Sequence, residues 1–230
     1  MSNRARQPAT PSSSAATARD NPLWLQFWRD QRDDFHQAAV NPLLRRFWNG
    51  QDLAEGSRVF VPLCGKSLDL IWLLEQGHEV IGIELSPVAV AAFFRENSLK
   101  PSRRKIGKFV AWRHDRLTIL CGDYFSLTAT DLGTVAAVYD RAALTALPEE
   151  VRKLYVAHLE RILPDTDKIF LLTAEEAETT ETVATPPEIA AEVRHLYAEH
   201  FDIELTHAET LTEAGEFVDY KLYRLNAHPH

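Results

Sequence analysis

Cysteine is scarce in this chain of 230 residues: Cys64 and Cys121 are the only two. Two cysteines build no disulfide framework and fit no metal-ligand spacing, so a reducing cytoplasm is the default expectation. Long apolar runs are missing too, and nothing approaches the roughly 18 apolar residues of a membrane span. Nor is there a basic excess. Against 33 Asp and Glu stand 25 Lys and Arg, a formal charge of −8, with no basic stripe to meet a nucleic acid. The short cluster Arg103-Arg104-Lys105 reads as a solvated loop. Two nucleotide signatures also fail. A P-loop would need a glycine five residues before Gly65, where Phe60 stands. The stretch Leu63–Leu68 supplies only one glycine of a GxGxxG turn.

What is present is enough for one sizeable core, and nothing demands a second domain. Residues 1–20, rich in Ser, Ala, Thr, Pro and Arg, show no apolar periodicity and no apolar middle region of a secretory signal. They read as a disordered tail, which leaves a single domain over 21–230. From Asn21 the chain turns aromatic, with Trp24, Phe27, Trp28, Phe35, His36, Phe47 and Trp48 in fewer than thirty residues. Trp24 and Trp28 share one helix face. Residues 21–50 are thus either a helical segment packed on a sheet or a lid that folds over a ligand and excludes water. Asn41-Pro42 carries the cap-plus-proline signature of a helix start.

Arg58–Ser86 is the most informative stretch. Val59, Phe60 and Val61 form a short strand, the turn Leu63–Ser67 follows, and Leu70, Ile71 and Leu74 have helical spacing. Gly77 closes that helix, and a second strand through Val80 and Gly82 ends at Glu84, nineteen residues past Gly65. An acidic residue at about that distance accepts hydrogen bonds from ribose hydroxyls in nucleotide-binding βαβ units. The alternation continues: a helix from Ser86-Pro87, strands at Leu117–Cys121, Val135–Tyr139 and Ile169–Leu172, and helices after Pro148 and around Ile189–Tyr197. Phe201–Leu205 and Phe217–Leu225 read as a hairpin, so the sheet is mostly parallel with an antiparallel edge and helices on both faces. Ligands in such folds lie beyond the carboxyl ends of the strands. Leu63, Gly65, Glu84, Leu85, Asp123, Tyr124, Asp140 and Arg141 fall there and are the candidate cofactor-binding residues. Asp123 is equally an ordinary turn aspartate, Arg141 a structural partner of Asp140, and Cys64 a small residue buried under the turn. His228 and His230 end a polar tail and read as disordered.

Trp24-x-x-x-Trp28 with Phe35-His36, the string VPLCGKSLDLIWL from Val61, HEVIGIELSPVAVAAFF from His78, and Tyr139-Asp140-Arg141-Ala142-Ala143-Leu144 together resemble the thiopurine S-methyltransferase family. Their order and spacing match its bacterial members, over roughly Leu23 to Leu172. The resemblance implies a class I methyltransferase with a seven-stranded Rossmann-like sheet and S-adenosyl-L-methionine as cofactor. It places Trp28, Leu63, Glu84 and Arg141 on the cofactor, with Trp24 beside Trp28, and Phe35 on the substrate side. Arg141 and Phe35 are then the catalytic candidates, and no metal is implied. The reaction is methyl transfer to the sulfur, selenium or tellurium of a small aromatic or metalloid acceptor. Such nucleophiles are often already anionic, so the absence of an obvious general base is tolerable. A cytoplasmic monomer with no nucleic-acid or membrane partner, serving selenium or tellurium detoxification, is the corresponding expectation.

One segment departs from the family. A tyrosine-aspartate pair and a Gly-Pro-Pro-Phe turn are expected after the fifth strand; here stand Thr173-Ala174-Glu175-Glu176 and Thr185-Pro186-Pro187-Glu188. That departure keeps open a cofactor-binding protein that has lost catalysis; a nicotinamide-dependent oxidoreductase is the other alternative, though the chain supplies only one glycine of its turn.

Overall fold

A computed structural model describes residues 21–32, 36–176, 189–213 and 216–228. The 1–20 tail, Phe35, residues 177–188 of the divergent segment and His230 lie outside the described residues. The aromatic start forms α1 (Asn21–Arg29) and α2 (Pro42–Phe47). The Asn41 side chain accepts from the N–H groups of Leu43 and Leu44, and Pro42 occupies the first turn, as cap chemistry requires. A 3₁₀ turn, Trp48–Gln51, leads to β1 (Arg58–Val61), α3 (Asp69–Glu75), β2 (Glu79–Glu84) and α4 (Pro87–Glu96). Ser86 caps α4 by accepting from Ala89 N–H. Next come β3 (Ser102–Ile106), β4 (Phe109–His114), β5 (Leu117–Cys121), a 3₁₀ turn at Tyr124–Ser126, α5 (Ala129–Leu132), β6 (Ala137–Arg141) and α6 (Glu149–Ile162). The chain ends with β7 (Lys168–Glu176), α7 (Ile189–Tyr197), β8 (Phe201–Glu213) and β9 (Glu216–Ala227).

The sheet has nine strands in the order β3-β4-β5-β2-β1-β6-β7-β9-β8, rather than the seven expected. Its centre, β5-β2-β1-β6-β7, is parallel throughout, and each edge carries an antiparallel hairpin. The extra pair, β3–β4, contains the basic cluster read from sequence as a loop. Arg103, Arg104 and Lys105 are exposed, as expected, but they stand on an edge strand. The Arg103 guanidinium lies 4.5 Å from the Trp112 ring centroid across the hairpin. A row of cations on an edge also discourages pairing with another chain. The terminal hairpin is longer than its apolar alternation suggested and carries a bulge at Leu205/His207.

Period-2 alternation divides the core between the two faces. Val59, Val61, Val80, Tyr139, Phe170 and Leu172 pack on one face under α2, α3 and α4. Phe60, Ile81, Ile83, Val138, Ile169 and Leu171 pack on the other under α5, α6 and α7. Among the described residues no helix is long and apolar enough to cross a membrane.

Gly82 marks a point where backbone must pass close to a side chain. A Cβ there would lie 2.8 Å from the Cys64 Sγ, inside van der Waals contact in a packed core. Gly82→Ala should destabilise the protein by roughly 1–3 kcal/mol in urea denaturation. Adding Cys64→Ala in the same chain should recover most of that loss.

Candidate active site

The carboxyl ends of β1, β2, β5 and β6 surround a cavity of about 210 Å³, mostly apolar in lining. The turn after β1 forms its floor. Leu63 and Gly65 both adopt left-handed backbone, with φ 45 and 53. For leucine this conformation is costly and characteristic of functional turns. Two hydrogen bonds tie the turn to β2: Cys64 N–H donates to Ile83 O at 2.9 Å, and Gly65 N–H to Glu84 Oε2 at 3.0 Å. Gly65 also lies under Trp28. A Cβ at Gly65 would stand 3.3 Å from Trp28 Cζ2, so the left-handed φ and the indole both select glycine.

Glu84 is 6% exposed. Its Oε1 accepts from Ser86 N–H at 2.7 Å and its Oε2 from Gly65 N–H. Burial pushes its carboxyl up to about 7, despite the backbone donors of Ser86, Gly65 and Leu85 that favour the charge. Each oxygen keeps a lone pair for a further donor.

Arg141 is held from the side. Its Nε donates to Asp69 Oδ2 at 2.8 Å and one terminal nitrogen, Nη2, to Ser67 Oγ at 3.0 Å. Asp69 is fully buried at the start of α3; it also accepts from Tyr139 Oη and from Asn41 N–H, each at 2.8 Å. Nη1 of Arg141 has no hydrogen-bond partner among the described residues. It is therefore a donor available to an anion.

Of the sequence candidates, Trp24, Trp28, Leu63, Gly65, Glu84, Leu85, Asp123, Tyr124 and Arg141 all line this cavity. Asp123 also does the ordinary turn job, accepting from Phe125 N–H at 3.1 Å through Oδ1. Asp140 does not line it. Adjacent strand residues face opposite sides, so Asp140 points into the α6 face, bonded to Tyr155, while Arg141 points toward α3. The Asp140–Arg141 pairing considered from sequence is thereby replaced by Arg141–Asp69. Cys64 is buried, and burial raises its thiol well above the ordinary value, the opposite of an activated nucleophile. Sequence reasoning missed Asn21, Lys66, Phe125, Leu147 and Val151 in the lining. Lys66 was visible only as part of a failed P-loop, and it forms an ion pair with Glu96 at 3.1 Å. Asp69 carried no signal beyond an acid in a first helical turn. His228, read from sequence as disordered, donates its N–H to His200 O at 3.0 Å.

A family model described as thiopurine S-methyltransferase matches residues 19–227 of the chain. A thiopurine S-methyltransferase of Stutzerimonas stutzeri is 56% identical over 215 residues, covering 91% of this chain and 92% of the relative. One from Nitrosospira multiformis is 47% identical over 206 residues, 88% and 92% of the two chains. Among solved structures, the 1,6-didemethyltoxoflavin-N1-methyltransferase of Burkholderia thailandensis, with S-adenosylhomocysteine bound, superposes with TM-score 0.62 at 17% identity, covering 96% of this chain and 93% of that one. A SAM-dependent methyltransferase of Anabaena variabilis gives 0.60 at 14% identity, covering 97% and 98%. These two share the fold.

Buried Glu84 yields a pH dependence of defined sign. A ligand hydroxyl placed beside Glu84 would donate to the carboxylate, yet the ligand-free protein holds a proton there below about pH 7. Affinity for S-adenosylhomocysteine should fall as pH drops through that value and level off above it, seen by calorimetry. Stability of the ligand-free protein should run the other way. The folded state keeps the proton longer than the unfolded chain does, so stability declines as pH rises from about 4.5 to about 7. Glu84→Gln should abolish the affinity slope and weaken binding roughly 10- to 100-fold.

Proposed function

The chain belongs to the thiopurine S-methyltransferase family, and on that footing we propose that it methylates a small sulfur or selenium nucleophile which arrives already anionic. It is an S-methyltransferase with S-adenosyl-L-methionine as cofactor. The residues present fit that group: a buried carboxylate with spare lone pairs, a glycine turn beneath an indole, and a guanidinium whose Nη1 has no partner among the described residues. When bound, the cofactor supplies a methyl group on a sulfonium that a soft nucleophile displaces in line.

Each protein group then has a role. Glu84 accepts from the ribose hydroxyls. Asp123 and Leu85, at the neighbouring strand ends, flank the base, with Tyr124 behind them. Leu63 and Gly65 leave room for the chain that links ribose to sulfur. The aromatic faces of Trp24 and Trp28 favour a cation nearby and, with the rest of α1, cover the cavity and exclude water. The family resemblance assigns Phe35, outside the described residues, to the acceptor. The observation that carries the reading is the free Nη1 of Arg141, set in the cavity wall by Asp69 and Ser67. It holds an anion, either the carboxylate of the cofactor or the incoming thiolate, without serving as a base. Aromatic thiols and hydrogen selenide are the acceptors this arrangement suits, and a monomer acting on metalloids in the cytoplasm is consistent with it.

Purified protein should therefore methylate thiophenol and hydrogen selenide, followed by formation of S-adenosylhomocysteine. Arg141→Lys keeps the charge opposite Asp69 but loses the fork; it should lower kcat/KM roughly 10- to 100-fold with little loss of stability. Full activity in that variant would remove Arg141 from the proposal. No turnover with any thiol or selenide would leave a cofactor-binding protein.

A further inference from the structure

We propose that Asp140 is a positioning residue for methyl transfer: acting with Tyr155 on the Ala142–Leu147 turn, it sets the acceptor-side wall of the cavity, an inference that rests on the methyltransferase reading. Asp140 is fully buried and sits one residue before Arg141 on β6. Its Oδ1 accepts from Ala143 N–H at 3.0 Å and its Oδ2 from Tyr155 Oη at 2.6 Å. Between them Ala142 adopts φ 57, a left-handed conformation unfavourable for alanine. The Asp140 bond pins that residue on one side, and Ala142 N–H donating to Leu172 O at 2.8 Å pins it on the other. The turn so fixed contributes Ala142, Ala143, Ala146 and Leu147 to the cavity.

Helix α6 grips this wall at a second point and reaches the opposite wall as well. Arg152 Nε donates to Leu147 O at 2.9 Å. Three residues on, Tyr155 accepts through its backbone carbonyl from Tyr124 Oη at 3.1 Å. His158 Nε2 donates to Tyr124 O at 3.0 Å, and Arg161 supplies a donor to its Nδ1. Burial, reinforced by Arg161, lowers the imidazole pKa and so favours the neutral ring that this pattern needs. One helix therefore sets the separation between the wall at the end of β5 and the wall at the end of β6.

Strand order says which ligand each wall serves. In β5-β2-β1-β6, Glu84 ends β2 and Asp123 follows β5. With strands about 4.8 Å apart, the end of β6 is roughly 10 Å from that of β2, on the side away from Asp123. A nucleoside held at Glu84 with its base toward Asp123 presents its far end to β6. The Ala142–Leu147 wall thus meets the transferred methyl and the acceptor, while the nucleoside is fixed elsewhere.

Asp140→Asn and Tyr155→Phe in the full chain test this. Asparagine puts an amide donor against one of two donors, and phenylalanine removes the hydroxyl, leaving Asp140 underpaired. Three quantities are read: calorimetric affinity for S-adenosylhomocysteine, KM and kcat for thiophenol, and amide hydrogen exchange over residues 142–147. Asp140→Asn should raise the acceptor KM roughly tenfold and speed exchange in the turn, with cofactor affinity changed less than about twofold. Tyr155→Phe should do the same more weakly, and the double variant should be no worse than Asp140→Asn alone. If Asp140→Asn fails to fold, Tyr155→Phe carries the test. A loosened turn with unchanged acceptor KM would overturn the proposal, as would an equal loss of cofactor affinity. Exchange needs no turnover: a wild type that binds S-adenosylhomocysteine yet methylates no thiol defeats the methyltransferase reading, whereas unchanged exchange in both variants defeats the role of Asp140.

Discussion

A single buried carboxylate ties together the parts that make this site. Asp69, 1% exposed at its side chain, accepts from the backbone of Asn41, the hydroxyl of Tyr139 and the guanidinium of Arg141. Those partners come from the cap of α2 and from two positions of β6, while Asp69 itself opens α3 directly after the Leu63–Ser67 turn. An isolated charge could not be retained at such depth; satisfied by three donors and one counter-charge, it is tolerated. Removing one member of such a pair strands the other, at a cost of several kcal/mol. The interaction therefore does more than fix Arg141. It locks the aromatic N-terminal segment, through Asn41, to the strand ends that form the cavity.

The sheet explains why that lock and the Asp140 cluster do not interfere. Two adjacent residues on β6 carry opposite charges, and simple proximity suggests that they neutralise each other. Pleating forbids it. Arg141 goes to the α3 face, where Asp69 waits, and Asp140 goes to the α6 face, where hydroxyl and amide donors meet it. Burial moves the Asp140 carboxyl up to about 6, less than so deep a site would impose without those donors. Each face of one strand thereby supports a different wall of the same cavity.

Much of this was legible in the sequence, and the legible parts share a property: their physics is local. Asn41 and Ser86 are caps followed by proline, and both cap as read. Glu84 lies a fixed chain distance from Gly65, because one helix and one strand must fit between them, and the two do meet at 3.0 Å. The parallel centre followed from alternating strand and helix patterns. What stayed hidden depends on long-range pairing. Asp69 finds its partners 28, 70 and 72 residues away. The β3–β4 hairpin was missed because its edge strand, Ser-Arg-Arg-Lys-Ile, has four exposed residues and no apolar alternation. Its strand character comes from β4, which supplies the buried Phe109, Ala111 and Trp112. The direction of Asp140 required knowing the register of β6, which one residue of uncertainty reverses.

Charge balance within the cavity bears on the kind of chemistry it can support. Both described cations on its wall already have an acid: Arg141 pairs with Asp69 and Lys66 with Glu96. Glu84, in contrast, has only backbone donors among the described residues. The wall thus carries no excess positive charge, and its one strongly buried acid becomes ionised most readily when donors or a cation occupy the space beside it. Such a lining favours a cationic ligand whose hydroxyls reach Glu84. It also limits what can follow. An acceptor that had to shed a proton inside would need a base; on the proposed reading Glu84 is taken up by the ribose, while the thiols of Cys64 and Cys121 are pushed up in pKa, mainly by burial. This is the physical basis of the proposed acceptor class: one that leaves its proton in water before it enters, a soft, acidic nucleophile rather than an alcohol or amine. Selectivity then comes from what the cavity does not supply, as much as from the groups it presents.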